Sequence, residues 1–574
     1  MKMKVSDYIV LFLIQKKVTD VFCYPGGMIT HLMDSFHRYG SQIKSHTNYH
    51  EQGSSFCACG YAQTKRLPTV ALASSGPGAV NLISGILNAY CDSLPAIFIT
   101  GEVNTYECKG DLLVRQRGFQ EADIIPMVDT ITKYAVKIKD VNTILYHLEK
   151  AYYLATTGRP GSVLLDIPMD IQRMEIEVDT LKTFTPPVQQ EQDDFGIAQR
   201  IISLIQSAKR PCIIAGAGIQ AAGVRDAVAD FIKHLKIPVV TSMLGIDVLS
   251  DKSYDFGFIG TYGHRSANFI ISKSDCIVSI GSRLDIRQIG SDKQSFAPNA
   301  KLIRIDIDTG ELTNRIKEEE IQIVADIKTL VPMLAKQTSQ IQASHEEWLG
   351  VCNDIKKILN EQSNTHQISN DYIKELSALV PDGYHITTDV GQNQVWVAQS
   401  FDLKPNQRLL FGGGHAAMGY SLPAAIGAYY GDNKPVICFN GDGGLQMNMQ
   451  ELQFIIREKL PIKIIILNNN ALGMIRHFQE MYFDANYVQS IPEGGYTVPD
   501  FKKIADSYDI PYKKIAEVKQ VGQLSEILSN PYPAVIEILL PNNTYVFPKL
   551  VINKPIYDQE PALDAALIKT IMDM

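Results

Sequence analysis

At 574 residues the chain has room for three or four domains, each large enough to bury its own core. Apolar residues make up 45%, charged residues 20%, and the formal net charge is −8. There is no basic surplus to neutralise phosphate backbones, which argues against nucleic acid as a partner. No stretch approaches the roughly 20 apolar residues that a membrane-spanning helix needs. The short run from Tyr8 to Ile14 follows Lys2 and Lys4, lacks a small-residue cleavage site, and reads as an amphipathic first helix. A cytoplasmic protein with no membrane contact is the expectation. The odd count of nine cysteines, with Cys57 and Cys59 one residue apart and no second pair at zinc-site spacing, points to buried free thiols.

Residues 1–182 alternate helical periodicity with apolar strand runs at Thr69–Ala73, Ala96–Thr100 and Ser162–Ile167, the pattern of an α/β domain on a parallel sheet. A Pro pair in polar surroundings, from Thr183 to Asp194, reads as a linker. A second domain, 195–336, repeats the alternation with strands at Cys212–Ala215, Val239–Thr241, Cys276–Ile280 and Lys301–Ile307. A polar helical crossing over 337–370 leads to a third α/β domain, 370–545, and the remainder, 546–574, reads as an irregular tail. The fold class is therefore α/β, with three doubly wound parallel-sheet domains.

The third domain holds the most informative stretch. Pro435–Phe439 is a buried-strand run that empties into Gly441-Asp442-Gly443-Gly444, where glycines allow close backbone approach and Asp442 offers a hard oxygen ligand. Met447, Met449, Leu452, Ile455 and Ile456 then recur at helical spacing, so one helix is expected to start just after the Asp. A second strand, Ile462–Leu467, delivers Asn468-Asn469-Asn470 one strand-helix-strand length later. Two oxygen ligands thus arrive at neighbouring strand ends beside a helix terminus. That terminus carries only about half a positive charge, too little for a diphosphate alone, so metal and diphosphate are implied together.

Gly-Asp-Gly followed by paired asparagines at this separation resembles the signature of the thiamine diphosphate enzymes. The three-domain layout is similar to their acetohydroxyacid synthase and pyruvate oxidase branch over nearly the whole chain. The resemblance implies thiamine diphosphate and Mg²⁺ as cofactors, the metal being held by Asp442, Asn469 and the Ala471 carbonyl. It implies that Glu51, in His50-Glu51-Gln52-Gly53, bonds the cofactor's aminopyrimidine and shares the proton that activates it. Tyr24-Pro25-Gly26-Gly27 and the Ser74–Asn81 loop, with Gly76 and Asn81, would line the same pocket, and Phe119-Gln120 would sit near the substrate. Gly391-Gln392 matches a diphosphate-contacting turn. Ala416 and Met418 match the segment whose Met wedges the cofactor into a bent form, and Gly473 and Met474 follow the metal ligands. In relatives the pocket lies between subunits, which implies a homodimer or tetramer.

In the second domain, Gly216-Ala217-Gly218 lacks the third glycine of a dinucleotide fingerprint. Gly281–Arg287, with Arg283 and Asp285, is nonetheless similar to a segment that binds flavin adenine dinucleotide, and Arg159, Asp306 and Asp326 fall where relatives contact that nucleotide. FAD is expected, in a non-redox role, because decarboxylation with carbon-carbon bond formation transfers no net electrons; an empty or ADP-holding domain is the alternative.

The departures from the synthases lie on the acceptor side. Met169 stands where they have Lys, Ile286 where Asp is usual, and Phe478 where Trp favours 2-ketobutyrate, while Arg287, which in relatives meets the second substrate's carboxylate, is present. His415 and Ala416 replace Leu and Gly before the wedge Met, and His415 is either a titratable group beside the cofactor or a hydrogen-bonded structural residue. The expected activity is decarboxylation of a 2-keto acid, pyruvate first, with carboligation to a carbonyl acceptor. The alternatives are transfer to a nucleotide-linked ketosugar, simple decarboxylation, and a retired, non-enzymatic binding protein. The last predicts decay at catalytic positions, whereas Glu51, Asp442 and Asn469 are intact.

Overall fold

A computed structural model describes residues 1–188, 192–249, 251–339, 345–361 and 367–574. Three six-stranded sheets organise it. The first runs, edge to edge, Lys44–Thr47, Asp20–Cys23, Thr69–Ala73, Ala96–Glu102, Ser162–Pro168, Tyr134–Lys137, with every pairing parallel. The second runs Asp255–Phe258, Val239–Thr241, Pro211–Ala215, Cys276–Ile280, Lys301–Asp306, Ile321–Val324, again parallel throughout. The third runs Leu409–Leu410, His385–Thr388, Val436–Gly441, Ile462–Asn468, Ala534–Leu539, Tyr512–Ile515. The central strands, such as Thr69–Ala73, Cys276–Ile280 and Ile462–Asn468, are rich in apolar residues and buried along their length because helices cover both faces of the sheets.

The orders place the glycine motifs. In the first and third sheets the second strand in sequence flanks the first on one side and the third flanks it on the other, so the chain reverses direction between strands one and three. In the second sheet that reversal lies between Pro211–Ala215 and Cys276–Ile280, the order of dinucleotide-binding domains. Crevices open at such switch points, at the carboxyl ends of the strands.

By contacts the chain forms two compact units. One comprises 1–188, 383–394 and 410–542, and the other 189–382, 395–409 and 543–574. The first therefore contains the first sheet and all of the third but Leu409. They are joined where helix Glu51–Lys65 crosses helix Ser421–Asp432. The crossing is close because both helices present glycine: a Cβ on Gly60 would lie 2.1 Å from the Ala424 carbonyl oxygen, and one on Gly427 would lie 1.9 Å from that of Cys57. Phe22, Cys57 and Tyr61 from the N-terminal part share a core with Leu422, Ile426 and Phe454.

The same junction buries a carboxylate. Glu451 Oε2 accepts from Asn48 Nδ2 at 2.8 Å and Oε1 from the Tyr49 N–H at 3.0 Å. Burial pushes the Glu451 carboxyl up from 4.5 to about 7. The unfolded carboxyl sheds its proton near 4.5 while the folded one keeps it, so stability falls as pH rises from 4.5 to 7 and levels off above. The drop is about 3 kcal/mol at most. Asn48 Oδ1 is buried without a partner, so a turned Asn48 amide can serve a neutral side chain. Glu451→Gln is expected to remove this pH dependence and to be the more stable form at pH 8, as read from denaturant melts across the range; an unchanged slope would refute the assignment.

The second unit departs from the sequence reading in two places. Segment 370–382, expected at the start of the third domain, and segment 395–409 belong to this unit, where Asp247 accepts from Arg408 Nε and, at 3.3 Å, from the Leu409 N–H. The tail is not irregular. Lys549–Leu550 pairs antiparallel with Gln559–Glu560, and a helix spans Ala565–Asp573. It is held because buried Arg265 donates to the Gln559 and Pro561 carbonyls and Gln559 Nε2 to the Gly263 carbonyl at 2.9 Å, while Ile571 packs with Phe269. Helix Glu346–Asn360, within the expected polar crossing, buries Trp348, whose Nε1 donates to the Pro211 carbonyl at 3.0 Å. Of the remainder of that crossing, 340–344 and 362–366 lie outside the described residues, as do linker positions 189–191. None of the nine cysteines forms a disulfide, and seven are buried. Among the described residues no helix is long and apolar enough to cross a membrane.

Candidate active site

The third sheet's switch point gathers the residues that the sequence singles out. Strand His385–Thr388 ends in Asp389-Val390-Gly391-Gln392, and strand Val436–Gly441 ends at Asp442. The single helix expected after Asp442 is broken. Asp442–Met447 is helical, then Asn448 leaves helical geometry at φ −136°, and Leu452–Glu458 resumes. The break coincides with tertiary contacts: Asn448 Nδ2 donates to the Gly419 carbonyl at 2.8 Å and to Gln52 Oε1 at 3.2 Å.

Asp442 is 2% exposed. Its Oδ1 accepts from the Tyr496 hydroxyl at 2.8 Å, and burial raises its pKa to about 6 against the pull of that hydroxyl and of nearby N–H groups. Asn469 Nδ2 donates to Gln392 Oε1 at 3.1 Å. In that orientation its Oδ1 lies 3.3 Å from Asp442 Oδ2 and 3.0 Å from the Ala471 carbonyl oxygen. Three oxygens from three residues then face one another, the donor set a hard cation takes. Turning the amide over lets Asn469 donate to both acceptors instead, the arrangement suited to a cation-free site. Gln392 Nε2 is buried without an acceptor, a donor in keeping with an anion beside that cation. The residues present fit Mg²⁺ with a diphosphate.

The surrounding glycines are needed for space. A Cβ on Gly473 would lie 1.8 Å from Gln392 Oε1, one on Gly444 2.0 Å from Asp389 Oδ2, and one on Gly443 2.9 Å from the Tyr496 hydroxyl and 3.4 Å from the Met418 terminal methyl. Gly391 sits at φ +135° and Ala416 at φ +56°, the latter in the left-handed region just before Met418. Met418 and Met474 are half-buried. Asp389, absent from the sequence reading, organises the group. Its carboxylate accepts the N–H groups of Val390 at 2.9 Å and of Gly419 and Tyr420 at 3.0 Å each, and burial lifts its pKa to about 6.

The first sheet's switch point holds the N-terminal motifs. Gly26 packs on Ser74, and the Met28 N–H donates to Ser74 Oγ at 3.2 Å, joining Tyr24–Gly27 to the Ser74–Asn81 loop. Glu51 opens its helix behind the His50 N-cap, and Oε2 accepts from Asn81 Nδ2 at 3.0 Å. Gly76, at φ +60°, faces the Gln120 carbonyl, 2.7 Å from where its Cβ would be, and Gln120 is itself at φ +60°. Glu121 closes that loop by accepting the N–H groups of Lys109, Arg117 and Gly118. Phe119 is 80% exposed and Tyr24 42%. His415 Nε2 lies 3.2 Å from Ser84 Oγ, and desolvation lowers its pKa. Both readings of His415 therefore keep support, since it is hydrogen-bonded and half-buried. Met169 opens a short helix, and Phe478 stands half-exposed on helix Gly473–Tyr482 with Ile475, Met481 and Tyr482.

In the second unit the switch point joins Gly216-Ala217-Gly218 to Gly281. A Cβ on Gly216 would lie 2.1 Å from the Gly281 carbonyl oxygen, so the two loops approach closely only because glycine stands at 216. Arg283 pairs with Asp285 at 3.3 Å, and Asp285 caps the turn carrying exposed Arg287. Asp306 ends its strand, and Asp326 caps helix Ile327–Thr338. Buried Arg304, not anticipated, pairs with Glu320 at 3.1 Å and donates to the Arg283 carbonyl at 3.3 Å, which fixes the Arg283 turn. Arg159 belongs to the first unit, donating to Ser93 Oγ at 2.7 Å.

Three family models match this chain. The thiamine pyrophosphate enzyme N-terminal TPP-binding domain matches 3–127, the central domain 198–334 and the C-terminal TPP-binding domain 389–538. Among similar proteins, the acetolactate synthase large subunit of Lactococcus lactis is 34% identical over 537 residues, covering 92% of this chain and 91% of that one. A probable acetolactate synthase large subunit of Methanococcus aeolicus is 33% identical, covering 92% and 90%. The large subunit of acetolactate synthase isozyme 2 of Escherichia coli K12 is 30% identical, covering 95% and 96%.

Proposed function

We propose, from the premise that this chain belongs to the thiamine pyrophosphate enzyme family in its acetolactate synthase-like branch, that it decarboxylates a 2-keto acid and ligates the two-carbon unit to a carbonyl acceptor. The observation that carries this reading is the set of Asp442, Asn469 and Ala471 oxygens beside the unpartnered Gln392 donor. Thiamine diphosphate, when bound, supplies the carbon nucleophile and the electron sink that decarboxylation requires.

The chain's own residues do the rest. Asp442, Asn469 and the Ala471 carbonyl hold Mg²⁺; Gln392 and the backbone at Gly391, Gly441, Gly443, Gly444 and Gly473 receive the diphosphate; Ala416, Met418 and Met474 give apolar support to the rings. Glu51, fixed by Asn81, holds the proton shared with the pyrimidine. Tyr24–Gly27, Gly76, Phe119 and Gln120 line the reacting side, and a second copy of the chain covers the exposed Tyr24 and Phe119. His415, whose pKa desolvation lowers, is a titratable group beside the cofactor. FAD in the second unit, held at Gly216–Gly218, Gly281, Arg283, Asp285, Arg287, Asp306 and Asp326, is a structural ligand.

One observation favours a larger acceptor as the second reading. Met169 offers no charge, and Ile475, Phe478, Met481 and Tyr482 stand half-exposed on one helix. Incubation with pyruvate, thiamine diphosphate and Mg²⁺ separates the two. Acetolactate at a steady rate supports pyruvate as acceptor, and slow turnover rescued by a nucleotide-linked ketosugar supports the second. Acetaldehyde as sole product under both conditions would remove carboligation altogether.

A further inference from the structure

We propose that Tyr496 is a positioning residue of the metal clamp: its hydroxyl fixes one oxygen of the Asp442 carboxylate so that the other is presented to the cation. The proposal rests on the reading of Asp442, Asn469 and Ala471 as the Mg²⁺ ligands. Its own support is geometric. A carboxylate on a two-torsion side chain beside two glycines has rotational freedom that a metal site must remove. Here Oδ1 accepts from the Tyr496 hydroxyl at 2.8 Å, beside the N–H groups of Asn470, Ala471 and Gly443 that also reach this carboxylate, and Oδ2 lies 3.3 Å from the Asn469 amide. Gly443 makes room for that hydroxyl, since a side chain there would meet it at 2.9 Å.

Tyr496 reaches this place from a strap that folds back over the metal-site helix. The Leu472 N–H, next to Ala471, donates to the Ser490 carbonyl at 2.9 Å, Gln479 Nε2 to the Val488 carbonyl at 3.0 Å, and Tyr487 to Glu480 Oε1 at 2.6 Å. The Tyr496 N–H closes the strap on the Ile491 carbonyl at 3.0 Å. The strap is thus tied to the metal site at two points, the backbone beside one ligand and the side chain of another.

The test is Mg²⁺ titration at fixed thiamine diphosphate, followed by calorimetry and ligand-induced thermal stabilisation, on the full chain. Wild-type protein is titrated first: absence of any Mg²⁺-dependent thiamine diphosphate binding overturns the underlying reading of the site, whatever Tyr496 does. Given wild-type binding, Tyr496→Phe is expected to weaken Mg²⁺ about tenfold or more. Tyr487→Phe, which removes a strap bond away from the metal, is expected to change it less than twofold. Wild-type affinity in Y496F overturns the proposal. So does equal weakening in both variants, which would assign the effect to strap order, or a large drop in the ligand-free melting temperature of Y496F, which would make the hydroxyl a fold contact.

Discussion

Replacing Glu51 by Gln is expected to lower kcat by about 10²- to 10⁴-fold, the span over which a positioned acid-base group contributes, while leaving Mg²⁺-dependent thiamine diphosphate binding within a few-fold of wild type. The geometry separates the two effects. Gln has the shape of Glu and its carbonyl can accept the bond from Asn81 Nδ2, now 3.0 Å from Oε2, so the start of helix Glu51–Lys65 and the Ser74–Asn81 loop stay in register. The metal and diphosphate residues lie at the ends of the third sheet, whereas the side-chain bond of Glu51 is to Asn81. What the substitution removes is an ionisable proton. Single-turnover decarboxylation of pyruvate, with cofactor affinity measured in parallel, reads both quantities. Turnover at the wild-type rate would sink the acid-base role of Glu51, and loss of cofactor binding with turnover per bound cofactor intact would reassign it to binding.

Much of this site can be read from sequence because its parts are local. Buried parallel strands are runs rich in apolar residues, and a Gly-Asp-Gly or Ser-Gly-Pro-Gly at the end of such a run already says where the backbone must turn. The switch points then bring strand ends together, which is why Gly216 and Gly281, unremarkable singly, meet. The residues that stayed hidden act across distance. Glu451 meets Asn48 across 403 positions and Tyr496 meets Asp442 across 54. Neither lies in a motif, and a Tyr in an irregular segment carries no periodic or spacing signal. Arg304 reads as an ordinary charge in a strand until Glu320 is seen to bury with it. The tail misleads for the same reason, because its order comes from Arg265 reaching carbonyls about 300 positions away. Asp389 was the accessible omission: an Asp at a strand end, directly before the Val-Gly turn, is where a carboxylate can collect backbone N–H groups.

Asp442→Ala is expected to abolish Mg²⁺-dependent thiamine diphosphate binding at millimolar metal, and activity with it, while leaving the fold intact. The substitution removes the one carboxylate of the oxygen set, leaving an amide and a carbonyl, neutral ligands that do not draw Mg²⁺ out of its hydration shell. The diphosphate then has only helix-terminal and amide dipoles to balance its charge, about half a unit per terminus. Stability should not suffer. The Asp442 carboxyl is 2% exposed and costs desolvation energy in the metal-free chain, as its raised pKa of about 6 reports, so truncation relieves a penalty while freeing the Tyr496 hydroxyl. The metal-free variant is therefore expected to melt within a few degrees of wild type, and the large stabilisation that Mg²⁺ and cofactor together give the wild type should vanish. Calorimetric titration and paired melts with and without ligands measure this. Cofactor binding that survives in D442A with unchanged metal dependence would place the cation elsewhere; binding that survives without any metal dependence would mean that the diphosphate, not Mg²⁺, organises the Gln392 and Gly473 side of the site.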